Sequence, residues 1–192
     1  MPGPAFTEGD TVSLHPIEEE DYEFIQRGRN DPSTRVTLGD TSIRRREDVA
    51  ELFEEGAEYH FLVCVDEGEA AEGGAPTGES RDPEPVGVVA FGWVRDDVRI
   101  GSLMYWIAPE HRREGYVTEG TALLLDYAFA ERNFNKVNAN VVTSNEASIR
   151  TLESLGFERE GHQRRECFVD GEWEDMFTYG LLADEWLDAS DS

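Results

Sequence analysis

Three cations and a glycine stand where an apolar strand gives way to a helix. His111, Arg112, Arg113 and Gly115 follow the apolar run Met104–Ala108 and precede Thr118–Ala130, a nearly all-apolar helical stretch. The first N–H groups of a helix have no intrahelical acceptor, and the helix dipole favours negative charge there. A glycine lets a ligand approach the backbone, because it has no Cβ. The segment therefore predicts an anion site of the kind that holds phosphate. A second candidate lies downstream. Asn145 is a good N-cap for the short amphipathic stretch Glu146–Ser154, and Ser148 offers a hydroxyl at the helix start, where such groups also bond locally.

The remaining elements must position these two helix starts. Alternation predicts strands at Thr11–Pro16, His60–Asp66, Val86–Val94, Arg99–Ile107, Lys136–Val142, Glu158–Phe168 and Trp173–Leu181. Helical spacing predicts Glu18–Gly28, stopped by Asn30-Asp31-Pro32, then Arg45–Gly56, Thr118–Asn133 and Glu146–Ser154. Gly156 sits where a left-handed cap belongs, and Asp170-Gly171 favours a tight hairpin turn. The order fits one mixed α/β sheet, mostly antiparallel, with about four helices on its faces. A single domain spans 11–186, with flexible termini at 1–10 and 187–192. Glu67–Pro85, rich in Gly, Ala, Glu, Pro and Ser, reads as an acidic mobile hairpin tip, or as a lid.

The chain has 192 residues, 42 acidic and 17 basic, for a net charge of −25, and Lys136 is its sole lysine. Such an acidic, lysine-poor surface around an ordinary core is similar to proteins of salt-loving organisms, whose cytosol screens the self-repulsion. No basic face balances the acid, which argues against nucleic acid as a partner. Cys64 and Cys167 fall in strand runs and read as buried thiols; no metal or disulfide spacing exists. The N-terminus has no signal pattern and no apolar run approaches 18 residues, so a soluble, cytoplasmic protein without membrane partners is expected.

At Arg112-Arg113-Glu114-Gly115-Tyr116-Val117 the chain resembles the GNAT superfamily of acetyl-CoA-dependent N-acetyltransferases, whose motif runs Arg/Gln, two residues, Gly, one residue, Gly/Ala. Val117 departs at the last position but still supplies its N–H. A second match is the run from Asn145 through Ser148 and Leu152 to Gly156-Phe157. Asn30-Asp31-Pro32 and the closing Asp170-Gly171 hairpin, with Trp173 and Asp175, resemble the RimJ/RimL branch, which acetylates ribosomal-protein N-termini. The likeness covers about Thr11–Trp186.

The resemblance implies that acetyl-CoA is the cosubstrate and that no metal is used. It lays the pantetheine arm along the strand ending at Tyr105–Ala108, against Ile107 and Ala108, and the pyrophosphate on Arg112, Arg113, Glu114, Gly115, Tyr116, Val117 and Thr118. Asn145 caps its helix and bonds the cofactor, or only caps. A backbone N–H within Trp106–Ala108 polarises the thioester. Many relatives place a tyrosine acid where this chain has Leu152; in the RimL-like branch a serine takes that role, and Ser148 matches it. The branch's carboxylate base falls, counting without gaps from Ser148, on Cys167, with Glu166 beside it. Glu166 or a water relay from backbone groups takes the amine's proton. The acceptor implied is a protein N-terminal α-amine; lysine side chains, polyamines or other small amines are alternatives, as is a non-catalytic acyl-CoA-binding regulatory module.

Trp93 and Trp106 are expected in the core or a pocket wall, and His111 as a loop residue. Arg44-Arg45-Arg46 opens a helix, where cations are unfavourable; the three are solvated, neutralise nearby acids, or lie near the cofactor's 3′-phosphate.

Overall fold

In the computed structural model, which describes residues 2–40, 42–53, 59–65 and 83–190, every expected strand joins one sheet. The strands are β1 (Thr7–Glu8), β2 (Ser13–Pro16), β3 (His60–Val65), β4 (Glu84–Arg95), β5 (Ile100–Ile107), β6 (Lys136–Val142), β7 (Glu158–Val169) and β8 (Glu172–Leu182). Their order is β1-β2-β3-β4-β5-β6-β8-β7. All neighbours are antiparallel except β5 and β6, which run parallel. That parallel pair needs a crossover, and the helix after the basic loop provides it.

Six helices are described rather than about four: α1 (Tyr22–Asn30), α2 (Pro32–Leu38), α3 (Arg46–Glu51), α4 (Tyr116–Asp126), α5 (Glu146–Ser154) and α6 (Ala183–Ser190). The additional helix after α1 has a local cause. Asn30-Asp31-Pro32 does end α1, but Asp31 also caps α2 by accepting from the Ser33 and Thr34 N–H groups, with Pro32 in the first turn. The long helix expected to Asn133 is α4 followed by a π-helical turn at Tyr127–Glu131. Regular structure also extends past the expected 11–186. Thr7 and Glu8 pair with Leu14 and Ser13, and α6 continues beyond Trp186. The acidic segment expected at 67–85 lies outside the described residues except for 83–85.

The sheet buries both faces. On one, Leu124, Leu125 and Ala128 pack against Val63, Val89, Leu103 and Val137, with Leu152 of α5 further along. On the other, Ile25 and Val49 meet Leu62, Val88 and Trp106, and Phe24 stacks on Trp106 at 5.4 Å. Burying a side chain of this size contributes about 1.5–3 kcal/mol. Trp93 does not join this core: it is 60% exposed, beyond the bulge where β4 loses register with β5. Cys64 and Cys167 are both buried and form no disulfide with each other. Among the described residues no helix is long and apolar enough to cross a membrane.

Candidate active site

Strands β5 and β6 pair only from Ile100 and Lys136 to Leu103 and Ala139. Beyond that point they part, and a cavity of about 770 Å³ opens between them. Met104–Ile107 form one wall, Asn140 and Val141 the other, and α4, α5 and the end of α2 close it. The ladder explains why the β5 wall offers hydrogen-bonding backbone to the gap. The Ala108 N–H donates to the Val86 carbonyl at 2.8 Å. Antiparallel bonding alternates, so Trp106 is also spent on β4, while Tyr105 and Ile107 turn their peptide groups to the gap.

At the end of this wall the basic loop turns sharply. Arg113 (φ 75°) and Gly115 (φ 86°) both adopt the left-handed region. Gly115 is the N-cap of α4 and no side chain caps the helix. The Tyr116 and Val117 N–H groups therefore stay open. Arg112 is not free to bind a ligand with its guanidinium alone. It donates to the Ile107 carbonyl (3.2 Å) and the hydroxyls of Ser33 and Thr34 (both 3.0 Å), tying loop, strand and α2 together. Arg113 is exposed, and His111 lies 3.6 Å from a Glu84 carboxylate oxygen.

On the opposite side Asn145 caps α5, its side-chain oxygen accepting the Ser148 N–H at 3.1 Å. Ser148 is thereby held over the wall, with its Oγ 2.7 Å from the Tyr105 hydroxyl. Burial pushes the Tyr105 phenol up to about 12, against a smaller opposing effect of the Ser148 bond. Nothing in the strand pattern marks Tyr105 as a site residue. Strand alternation places it on the face opposite Trp106, but its partner lies 43 residues away.

Of the expected residues, Ile107, Arg112, Arg113, Gly115, Tyr116, Val117, Thr118, Asn145 and Ser148 line this one cavity. Ala108 and Glu114 flank the loop without lining it. Glu166 lies elsewhere: it is exposed on β7, within the irregular register between Gln163 and Cys167, and is not on the wall. Arg44 pairs with Asp40 at 2.8 Å, Arg45 with Glu47 at 3.2 Å and Arg46 with Glu19 at 3.9 Å, so that cluster neutralises acids. The described lining includes no Asp or Glu; its charged members are Arg112, Arg113 and Arg150, with His111 beside them. An open helix N-terminus, cations and an unpaired strand edge in one cleft suit a long anionic cosubstrate such as acetyl-CoA.

The sequence matches the acetyltransferase (GNAT) domain over residues 11–158. It is 29% identical over 140 residues to the probable N-acetyltransferase YjcK of Bacillus subtilis, covering 72% of this chain and 70% of that protein. It is 23% identical over 184 residues to a spermidine N(1)-acetyltransferase of Vibrio cholerae, covering 94% and 98%. A putative ribosomal N-acetyltransferase of B. subtilis, YdaF, is 36% identical over 88 residues, 46% of this chain and 48% of that one. The fold is similar to the crystal structure of the V. cholerae spermidine N-acetyltransferase in complex with CoA and spermine, with a TM-score of 0.78 at 22% identity, covering 93% of this chain and 99% of that one. The chain belongs to the GNAT family and is an acetyl-CoA-dependent N-acetyltransferase.

Proposed function

We propose that this enzyme transfers acetyl directly to the α-amine of a protein or peptide N-terminus, with Ser148 protonating the departing sulfur. The observation that carries the acceptor assignment is the absence of any carboxylate from the described cavity wall, in a chain with 42 acidic residues. A polyamine brings further ammonium groups, and among the described lining residues they would find no carboxylate to pair with. An N-terminal amine carries one charge, which it must lose before attack, and is flanked by neutral peptide groups. Thr37, Ser102 and Asn140 on the wall offer hydroxyls and an amide to such groups.

Bound acetyl-CoA supplies a thioester carbonyl carbon for a neutral amine to attack. The chain's own groups do the rest. The Tyr116 and Val117 N–H groups, with Arg113, hold the diphosphate. The backbone of Tyr105 and Ile107 and the amide nitrogen of Asn145 hold the pantetheine arm. The Ile107 N–H is the one in Trp106–Ala108 that faces the gap, and it polarises the carbonyl. With Glu166 off the wall, the amine's proton leaves through water.

The second reading, a polyamine acceptor, draws on the spermidine acetyltransferases that align along most of the chain and on the net charge of −25, which concentrates cations at the surface. Thiol release from acetyl-CoA in molar KCl decides between them. Turnover with lysine-free peptides and not with spermidine is expected. Turnover with spermidine alone overturns the N-terminal assignment.

A further inference from the structure

We infer that Tyr105 is the proton source behind Ser148, so that the two hydroxyls act as a relay to the leaving thiolate. The inference rests on the reading of Ser148 as the group that meets the sulfur. Its ground is the 2.7 Å contact between the two oxygens, inside the cleft and beside the open edge of β5. The α5 position at which many relatives carry a tyrosine is occupied by Leu152, which offers no proton. The phenol reaches the same cleft from β5 instead.

The chemistry asks for such a group. A serine hydroxyl is a much weaker acid than a thiol, whose pKa is about 8.5. A proton given by Ser148 alone leaves an alkoxide in a partly buried cleft, which is costly. With Tyr105 behind it, three events balance. The amine nitrogen has bonded to the carbonyl carbon, the C–S bond breaks and its electron pair stays on sulfur. The Ser148 proton passes to that sulfur. The Tyr105 proton passes to the Ser148 oxygen, leaving a phenolate whose charge spreads over the ring. Water in the cleft, carrying the proton lost by the amine, returns one proton to the phenolate. No proton is gained or lost over the cycle. Burial keeps the phenol protonated throughout the neutral range and equally disfavours the phenolate, so the proton returned by water reloads it at once.

A merely structural role is the competing account, since a buried tyrosine hydroxyl needs a partner. Tyr105→Phe keeps the ring and removes the relay. Expected is a loss in kcat of roughly 10- to 100-fold, with acetyl-CoA affinity changed less than about twofold. The affinity also reports that the variant is folded. A proton inventory in mixed H2O and D2O should be curved for the natural enzyme, from two protons in flight, and straight for Tyr105→Phe. In the Ser148→Ala background, Tyr105→Phe should cost nothing further. A Tyr105→Phe enzyme with unchanged kcat, or losses that simply multiply in the double variant, overturns the relay while leaving Ser148 in place. Full activity in Ser148→Ala overturns the assignment of Ser148 and the relay with it.

Discussion

Two helices point their N-termini into the same cleft, and they are finished in opposite ways. At α4 the N-cap is Gly115, with φ 86° and no side chain to offer. At α5 the N-cap is Asn145, whose side chain accepts the Ser148 N–H at 3.1 Å. Every helix start carries partial positive charge and unmatched donors. Left open, they are a site for an anion; closed by the chain's own amide, they become a rigid mount for the next side chain. On the proposed function, one terminus serves binding through backbone, and the other serves chemistry through a hydroxyl. The contrast is visible in the sequence as glycine against asparagine, but only the shared cavity shows why it matters.

The most severe way to break the contrast is to close α4 as α5 is closed. Asn and Asp tolerate the left-handed region better than other residues. No heavy atom lies within 4 Å of where a Gly115 Cβ would stand, so neither collides with the folded protein. Gly115→Asn should weaken acetyl-CoA binding about tenfold by occupying the N–H groups, since a hydrogen bond to a charged group is worth ~1.5–3 kcal/mol. Gly115→Asp adds a charge facing phosphate and should cost about 100-fold or more. Calorimetric titration reads both. Asp binding as tightly as glycine would refute the open-terminus reading.

The next effect belongs to α5 and leaves binding alone. Ser148→Ala should lower kcat about 100-fold, the lower range for a positioned proton donor, with little change in acetyl-CoA affinity. Equal turnover would reduce Ser148 to a helix-start residue. Asn145→Ala removes the cap instead, which typically costs ~1 kcal/mol. Melting temperature should fall by a few degrees, and turnover should fall with it as Ser148 loses its mount. Asn145→Asp keeps the cap and should keep the stability.

The elements that carry this contrast were legible because their signals are local. β6 and α5 begin and end as the pattern predicts, the Asp170-Gly171 turn has both residues at positive φ, and the nine cavity-lining residues named from motifs do meet. What was lost needed either a partner far away or a second reading of one residue. Asp31 was read as a stop, whereas it both ends α1 and starts α2. Tyr105 enters the proposed relay only through Ser148, which no spacing rule connects to it. A gap-free count from Ser148 falls on Cys167 with Glu166 beside it, but β7 slips register between Gln163 and Cys167, so residue count there does not predict facing. Residue type alone predicts Trp93 in the core or a pocket wall, while the bulge beside it leaves it exposed.

A third helix start near the cleft gives the smallest and sharpest test. Asp31 caps α2, accepting from the Ser33 and Thr34 N–H groups at 2.9 and 3.1 Å. The Ser33 hydroxyl bond first, then those N–H groups and the nearby Arg112 charge, hold its carboxyl below the usual carboxylate range, against a raising effect of burial. A carboxyl depressed on folding stabilises the native state above its unfolded pKa of about 4. That contribution fades as pH falls through 4 towards the folded value. Asp31→Asn retains a capping oxygen and discards the charge. It should therefore cost only a few tenths of a kcal/mol at pH 7, since the site is solvated and salt-screened, and its deficit relative to the natural protein should shrink as pH falls below 4 towards the folded value. Asp31→Ala discards the cap itself and should cost ~1 kcal/mol at pH 7. Because Ser33 and Thr34 also hold Arg112, loosening them should weaken acetyl-CoA binding by about twofold, far less than closing Gly115. A larger loss in Asp31→Ala than in Gly115→Asp would mean that the clamp on Arg112, rather than the open N-terminus of α4, dominates cofactor affinity.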